Sequence, residues 1–285
     1  DFSDWYRAPL TGSDVMAGGL LVVLPISAIV FYSLVITVLW RTSKEIIGFR
    51  YLLSSAIADI LVIIQYGLLD GVAILTKSHI VRKEGRFALH FFFEWAWFAC
   101  CFHLPLIAWS RLHAIYAPLS FRHQPQWMSY GICGVVTWLI SFIICCATHW
   151  QSFHVCFYFE PALYGVAAED FLKYQSGGHS HMFMVIHVFV VVLPFIFYSL
   201  TIARLIKHRS VTASKSDKGS KTQSVETKLI VPCILVTIVF ALGQVAITIG
   251  TGTGPWAMWA VCFIFFLNSA MQPVLLVAFA PTVRS

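Results

Sequence analysis

Charge is what this 285-residue chain has least of: Asp, Glu, Lys and Arg make up 11% of it, against 59% apolar residues. Soluble domains carry about 25% charged residues, so the deficit excludes an ordinary water-soluble globule. A mean hydropathy of +0.79 points to lipid as the solvent. Asparagine is nearly missing too: Asn268 is the only one, so there is no N-glycosylation sequon. No short apolar run with a basic flank precedes Val15, so no cleavable signal peptide is read, and the first apolar segment is expected to act as its own insertion signal. The chain starts at Asp1 without methionine and stops five residues past its last apolar run, and is read as a stretch of something longer. Period-two alternation, the mark of a membrane barrel, is absent, as is any internal repeat of the kind duplicated transporters show.

What is present is long apolar runs. A helix crossing about 30 Å of hydrocarbon needs roughly 20 apolar residues, and seven such runs occur: Val15–Trp40, Arg50–Leu75, Phe87–Tyr116, Trp127–Thr148, His181–Ile206, Glu226–Ile249 and Trp256–Ala280. The expected fold is an all-α seven-helix transmembrane bundle, one domain over residues 1–285. With the N-terminus outside, thirteen Lys and Arg residues, from Arg41 to Arg284, fall on the inner side and six on the outer. The positive-inside bias therefore favours N-terminus out, although the outer cluster Lys77, Arg82, Lys83 and Arg86 runs against it. The net charge of +6 is topology and not nucleic-acid binding.

Seven of the eight cysteines lie within apolar runs, where a thiol acts as a small core residue. Cys156 alone falls in an outer loop, with no equally exposed partner. That loop, His149–Ser180, is long enough to fold over a cavity mouth. The inner segment Lys207–Val225 is basic and rich in Ser and Thr, a solvated linker or a modification or partner site. The stretch "GGHSH" places His179 and His181 near His187, but no carboxylate or cysteine completes the set at ligand spacing. The histidines are read as loop residues and no metal site is expected.

The third run ends in "SRLHAIYAPL", Ser110–Leu119. It resembles the rhodopsin-like G-protein-coupled receptor pattern Asp-Arg-Tyr-x-Ala-Ile-x-x-Pro-Leu, matched at Arg111, Ala114, Ile115, Pro118 and Leu119. "AIADILVI" with Asp59 resembles that superfamily's second-helix stretch, and "NSAMQPVLLVAF" resembles its seventh-helix Asn-Ser-x-x-Asn-Pro-x-x-x-Tyr. The departures are Ser110 and Leu112 for the acid and tyrosine, Tyr32 for a first-helix asparagine, Gln244 and Ala246 for a sixth-helix tryptophan and proline, Gln272 and Leu276 in the seventh helix, and Arg86 for the third-helix cysteine that anchors the outer loop. This pattern of loss is similar to the divergent nematode serpentine chemoreceptors.

The resemblance implies three groups of residues. Arg111, Pro118 and Leu119 would belong to the G-protein coupling switch, with Glu226 placed to pair with Arg111 in the resting state; simple snorkelling of Arg111 into the headgroups is the plainer alternative. Asp59, a costly intramembrane acid, would lie among Cys100, Asn268, Ser269 and Gln272, either as a sodium or proton switch or as a neutral hydrogen-bonded cluster. In the outer half Leu89, His90, Phe93, Glu94 and Trp97 would line a ligand cavity with Tyr66, Asp70, His187, Gln244, Thr248, Trp259 and Cys262. Glu94 would bind a ligand cation beside Trp97 or be protonated and donate a hydrogen bond, while the basic rim suggests an anionic headgroup. No lysine in the seventh run could hold retinal. The implied function is a plasma-membrane receptor, in keeping with a sensory cell, for a small amphipathic odorant or pheromone-like molecule, acting on a heterotrimeric G protein. A transporter or channel is the alternative; an enzyme is not expected, because no catalytic set converges.

Overall fold

A computed structural model describes residues 2–212, 228–249 and 253–279, side chains at 208–212 and 248–249 excepted. Seven helices are long and apolar enough to cross a membrane: α1 Gly12–Thr42, α2 Gly48–Thr76, α3 Arg86–Tyr116, α4 Gln126–His149, α5 Gly178–Thr212, α6 Ile230–Ile249 and α7 Pro255–Phe279. Each starts within a few residues of its expected run, and the shifts have local causes. The helix α1 begins before Val15 because Thr11 and Asp14 form a reciprocal capping box, which satisfies two otherwise orphaned backbone donors. α5 begins at Gly178, before His181, so "GGHSH" is the first turn of a helix and not a loop.

α3 is the most buried of the seven and α5 the least. Large apolar side chains such as Val23, Leu34, Val185 and Leu242 are more than 60% exposed, forming a lipid-facing belt around a core centred on α3. α1 and α2 approach most closely at Gly18 and Gly71: a Cβ on Gly71 would lie 2.8 Å from the Gly18 carbonyl oxygen. With no hydrophobic drive between helices in lipid, such small-residue contacts carry the packing. Within α2, residues Ile64–Leu69 widen into a π-helical turn, where Gly67 accommodates the ring of Pro25 from α1.

At the N-terminal face, the segment after α4 folds back as a hairpin. Strands β1 Phe157–Glu160 and β2 Gly165–Ala168 pair antiparallel, Phe157 opposite Ala168 and Glu160 opposite Gly165. Tyr164 turns the corner in the left-handed region at φ 54°. The hairpin is held by Tyr164, whose hydroxyl donates to Asp14, and by the short helix Ser3–Arg7, whose Tyr6 hydroxyl donates to Glu160. Lys77 completes the knot, 3.3 Å from Asp14 and donating to the Trp5 carbonyl at 2.9 Å. Burial and the bond to Asp14 push the Tyr164 phenol up to about 12, so it remains a donor. All eight cysteines are free; Cys156 is buried in this segment, its thiol pushed up to about 11 by that burial.

Candidate functional site

Along α3, residues His90, Glu94 and Trp97 recur at helical spacing and share one face, His90 nearest the N-terminal end. At that end lies a narrow cleft with about 20 Å³ of space for a water-sized sphere, lined by Leu89, His90 and Phe93 of α3, by Phe157 to Phe159 of β1, and by His79 and Arg86 at its polar edge. The Arg86 guanidinium stacks on the Tyr158 ring at 3.8 Å. About two turns deeper, Trp97 is packed edge-on against Phe265 at 4.6 Å and stacked on Phe240 at 5.7 Å. Tyr66 stacks on Phe265 at 4.5 Å, and the Trp97 indole donates to His187 Nε2 at 3.2 Å. This aromatic plug unites the expected residues Tyr66, Trp97 and His187.

Other expected ligand residues are placed elsewhere. Trp259 donates to the Ala17 carbonyl at 3.1 Å, so it pins α7 to α1. Asp70 and Cys262 are buried as a pair between α2 and α7. Gln244 is buried on α6, and the Thr248 side chain lies outside the described residues.

Glu94 is engaged by histidines. Its Oε2 lies 3.0 Å from His149 Nδ1 and its Oε1 lies 3.7 Å from His179 Nε2. The expectation that no carboxylate accompanies His179 is therefore corrected: Glu94 reaches it from α3, a partner that spacing along one segment cannot reveal. His179 is wholly buried, whereas His181 is exposed and bonds only its own helix turn, at the Gly177 carbonyl. His90 and His154 lie nearby, their rings tilted by 39° with centres 5.3 Å apart. Burial and the neighbouring His149 and His179 push the His154 imidazole down to about 4, leaving it neutral.

In the middle of the bundle Asp59 accepts from the Tyr32 hydroxyl at 2.9 Å and from the Cys100 thiol at 3.1 Å. The Tyr32 hydroxyl also lies 2.8 Å from the Ser269 carbonyl, and Ser269 Oγ lies 4.0 Å from Cys100 Sγ. Gln272 lies a turn away, accepting from Ser55 at 3.0 Å. Asn268 is turned toward α6, where a Cβ on Gly243 would lie 2.5 Å from its amide nitrogen. The expected cluster thus assembles around Asp59, Cys100 and Ser269, with Tyr32 as its unforeseen centre.

At the opposite face Arg111 is fully buried, its Nη2 donating to the Gly48 carbonyl at 3.0 Å. Snorkelling is excluded by that burial. Glu226 lies outside the described residues, as does most of Lys207–Val225. Arg50 bonds the Ser43 and Gln124 carbonyls at 2.8 and 3.0 Å, tying α1, α2 and the turn before α4 together. Pro118 opens a short helix, Pro118–Arg122, that presents Leu119 to solvent, 72% exposed.

A seven-helix membrane receptor bundle is the class these features define. The chain is similar to the structure described as "Crystal structure of squid rhodopsin", with a TM-score of 0.75 at 15% identity, over 99% of this chain and 87% of that one; at that identity the likeness shows the fold. A search of curated sequences gave no match. The family described as "Serpentine type 7TM GPCR chemoreceptor Srx" matches residues 24–274, and the chain belongs to it. It is a multi-pass plasma-membrane G-protein-coupled receptor of the chemoreceptor type and not an enzyme.

Proposed function

We propose that this receptor sits with its N-terminal face outside and takes a small amphipathic molecule, odorant or pheromone-like, in the cleft above the aromatic plug. The observation that carries the reading is the cleft itself: an apolar wall of Leu89, Phe93, Phe157 and Phe159 with His79 and Arg86 at one edge. A concave site that sets polar groups beside apolar walls suits an amphipathic molecule, and this one must widen to admit it. The lining favours a ligand with an apolar body and an anionic or hydrogen-bond-accepting head at Arg86. Glu94 is a poor partner for a ligand cation because His149 and His179 already face its two oxygens. Ligand-driven movement of the outer end of α3 would pass through Trp97 and its ring partners to Arg111 and the exposed Leu119, where the G protein engages.

Midpoint shifts in ligand-dependent nucleotide exchange test this. Phe93→Ala and Arg86→Ala are expected to raise the midpoint about tenfold, the equivalent of about 1.4 kcal/mol each, at unchanged surface level. Unchanged midpoints in both variants place the pocket elsewhere.

A further inference from the structure

Segments far apart in sequence bring imidazoles and one carboxylate together at the N-terminal end of α3. His90 and Glu94 come from α3, His149 is the last residue of α4, and His154 lies in the turn that follows. One ligand atom from each lies within 4.8 Å of all the others. His90, Glu94 and His149 are buried.

Proton bookkeeping shows which atoms are free to ligate. His149 Nδ1 lies 3.1 Å from the Cys145 carbonyl and 3.0 Å from Glu94 Oε2, both acceptors, so Nδ1 carries a proton and the neutral ring offers the lone pair on Nε2. That Nε2 is buried without a hydrogen-bond partner, as are His90 Nδ1 and His154 Nε2, while the two Glu94 oxygens face His149 Nδ1 and His179 Nε2. His179 is different. The Val155 backbone N–H donates to its Nδ1 at 3.1 Å, so its proton lies on Nε2, directed at Glu94 Oε1 3.7 Å away. His179 therefore orients the carboxylate, as outer-shell partners of metal ligands do. Buried polar atoms are nearly always satisfied, and three unpartnered ring nitrogens gathered beside one carboxylate ask for a cation.

We propose that His90, Glu94, His149 and His154 form a binding site for a divalent transition-metal ion, zinc by its donor set, with His179 as the group that positions Glu94. Three neutral imidazoles and a carboxylate suit Zn²⁺ and not Ca²⁺ or Mg²⁺, which take mainly oxygen ligands. A tetrahedral ion with bonds of about 2.1 Å needs ligand atoms about 3.4 Å apart, so binding draws the four groups inward by roughly 1 Å. The ion ties the turn after α4 to the top of α3 in a chain whose cysteines are all free and whose Arg86 occupies the place of the loop-anchoring cysteine. Because His90 also lines the cleft, the ion holds one wall of the proposed ligand site, but its binding does not depend on that reading.

The test uses the purified full chain in lipid nanodiscs, stripped with chelator and titrated with zinc chloride, with bound metal and thermal unfolding as readouts. One zinc per receptor, retained through gel filtration, and a raised unfolding midpoint are expected. His154→Ala and His149→Gln should each weaken zinc binding about tenfold or more, while His181→Ala leaves it unchanged and magnesium does not compete. His154 is only half-buried, so its variant decides the matter if His149→Gln does not fold, as judged by circular dichroism. No retained zinc means that His149 and His179 alone serve Glu94, and the proposal fails. Stoichiometric zinc that survives both substitutions is held elsewhere and overturns it equally.

Discussion

Tyr32 stands where the resemblance leads one to expect an asparagine, and its hydroxyl shows how a buried acid is tolerated here. It donates to Asp59 and lies 2.8 Å from the Ser269 carbonyl, while Cys100 serves the other carboxylate oxygen. Removing one partner leaves a buried polar group unsatisfied, which costs about 1–3 kcal/mol. Tyr32→Phe should therefore lower thermal stability by that order, read by unfolding in detergent. With both oxygens served by protein donors, exchanging sodium for potassium should leave stability unchanged; a sodium-specific rise would restore the ion reading. At the opposite face Arg111 is buried against the Gly48 carbonyl, and Ser110 next to it donates to its own helix at Ile107. An uncompensated buried charge is costly, so a switch at Arg111 predicts that changing its partners shifts the resting state. Ser110→Asp should lower ligand-independent nucleotide exchange and Glu226→Ala should raise it, whereas Arg111→Ala should cut coupling while ligand binding is kept. Equal basal exchange in the four proteins at matched expression refutes the switch.

Among the elements, the helices were legible because an apolar run of about 20 residues has the length and composition of a membrane span and of little else, whereas the hairpin Phe157–Ala168 was not. Its two strands are four residues each, too short for alternation to register, and their pairing is stabilised by Asp14 and Tyr6 from the other end of the chain. The histidine cluster was hidden for a similar reason: His90 and Glu94 lie one turn apart on α3, but their partners come from the end of α4 and the turn after it, which spacing along one segment does not bring together. The aromatic plug was readable in part, since Trp97 and Tyr66 follow from helix register, but Phe240 and Phe265 look like any other lipid-phase phenylalanine. Trp259 misled because its position on α7 faces α1 and not the bundle axis. The α1–α2 contact makes an element-scale prediction. A Leu at Gly71 meets Gly18 and Leu21 backbone atoms at under 3 Å, with no flexible side-chain end to yield. Gly71→Leu should abolish surface expression, while Gly131→Leu, at a glycine with open space around it, should be tolerated; equal surface levels would show that α1 and α2 do not need this approach.

For the whole molecule, composition and charge bias already implied seven spans in one domain, and the family match over residues 24–274 agrees with the motif fragments that suggested it. The proposed orientation rests on the same bias and has its own check. Cysteines introduced at Leu172 and Leu119, 76% and 72% exposed on opposite faces, should react differently with an impermeant reagent on intact cells: Leu172→Cys labels and Leu119→Cys does not. The reverse pattern inverts the topology. The most direct measurement of the whole account is guanine-nucleotide exchange on a purified heterotrimeric G protein by the receptor in nanodiscs, with and without fractionated small amphipathic molecules. The account predicts that at least one fraction accelerates exchange and that Phe93→Ala and Arg86→Ala shift its midpoint at matched expression. No acceleration by any fraction, together with solute flux through receptor-containing vesicles, would contradict it and make the chain a transporter or channel.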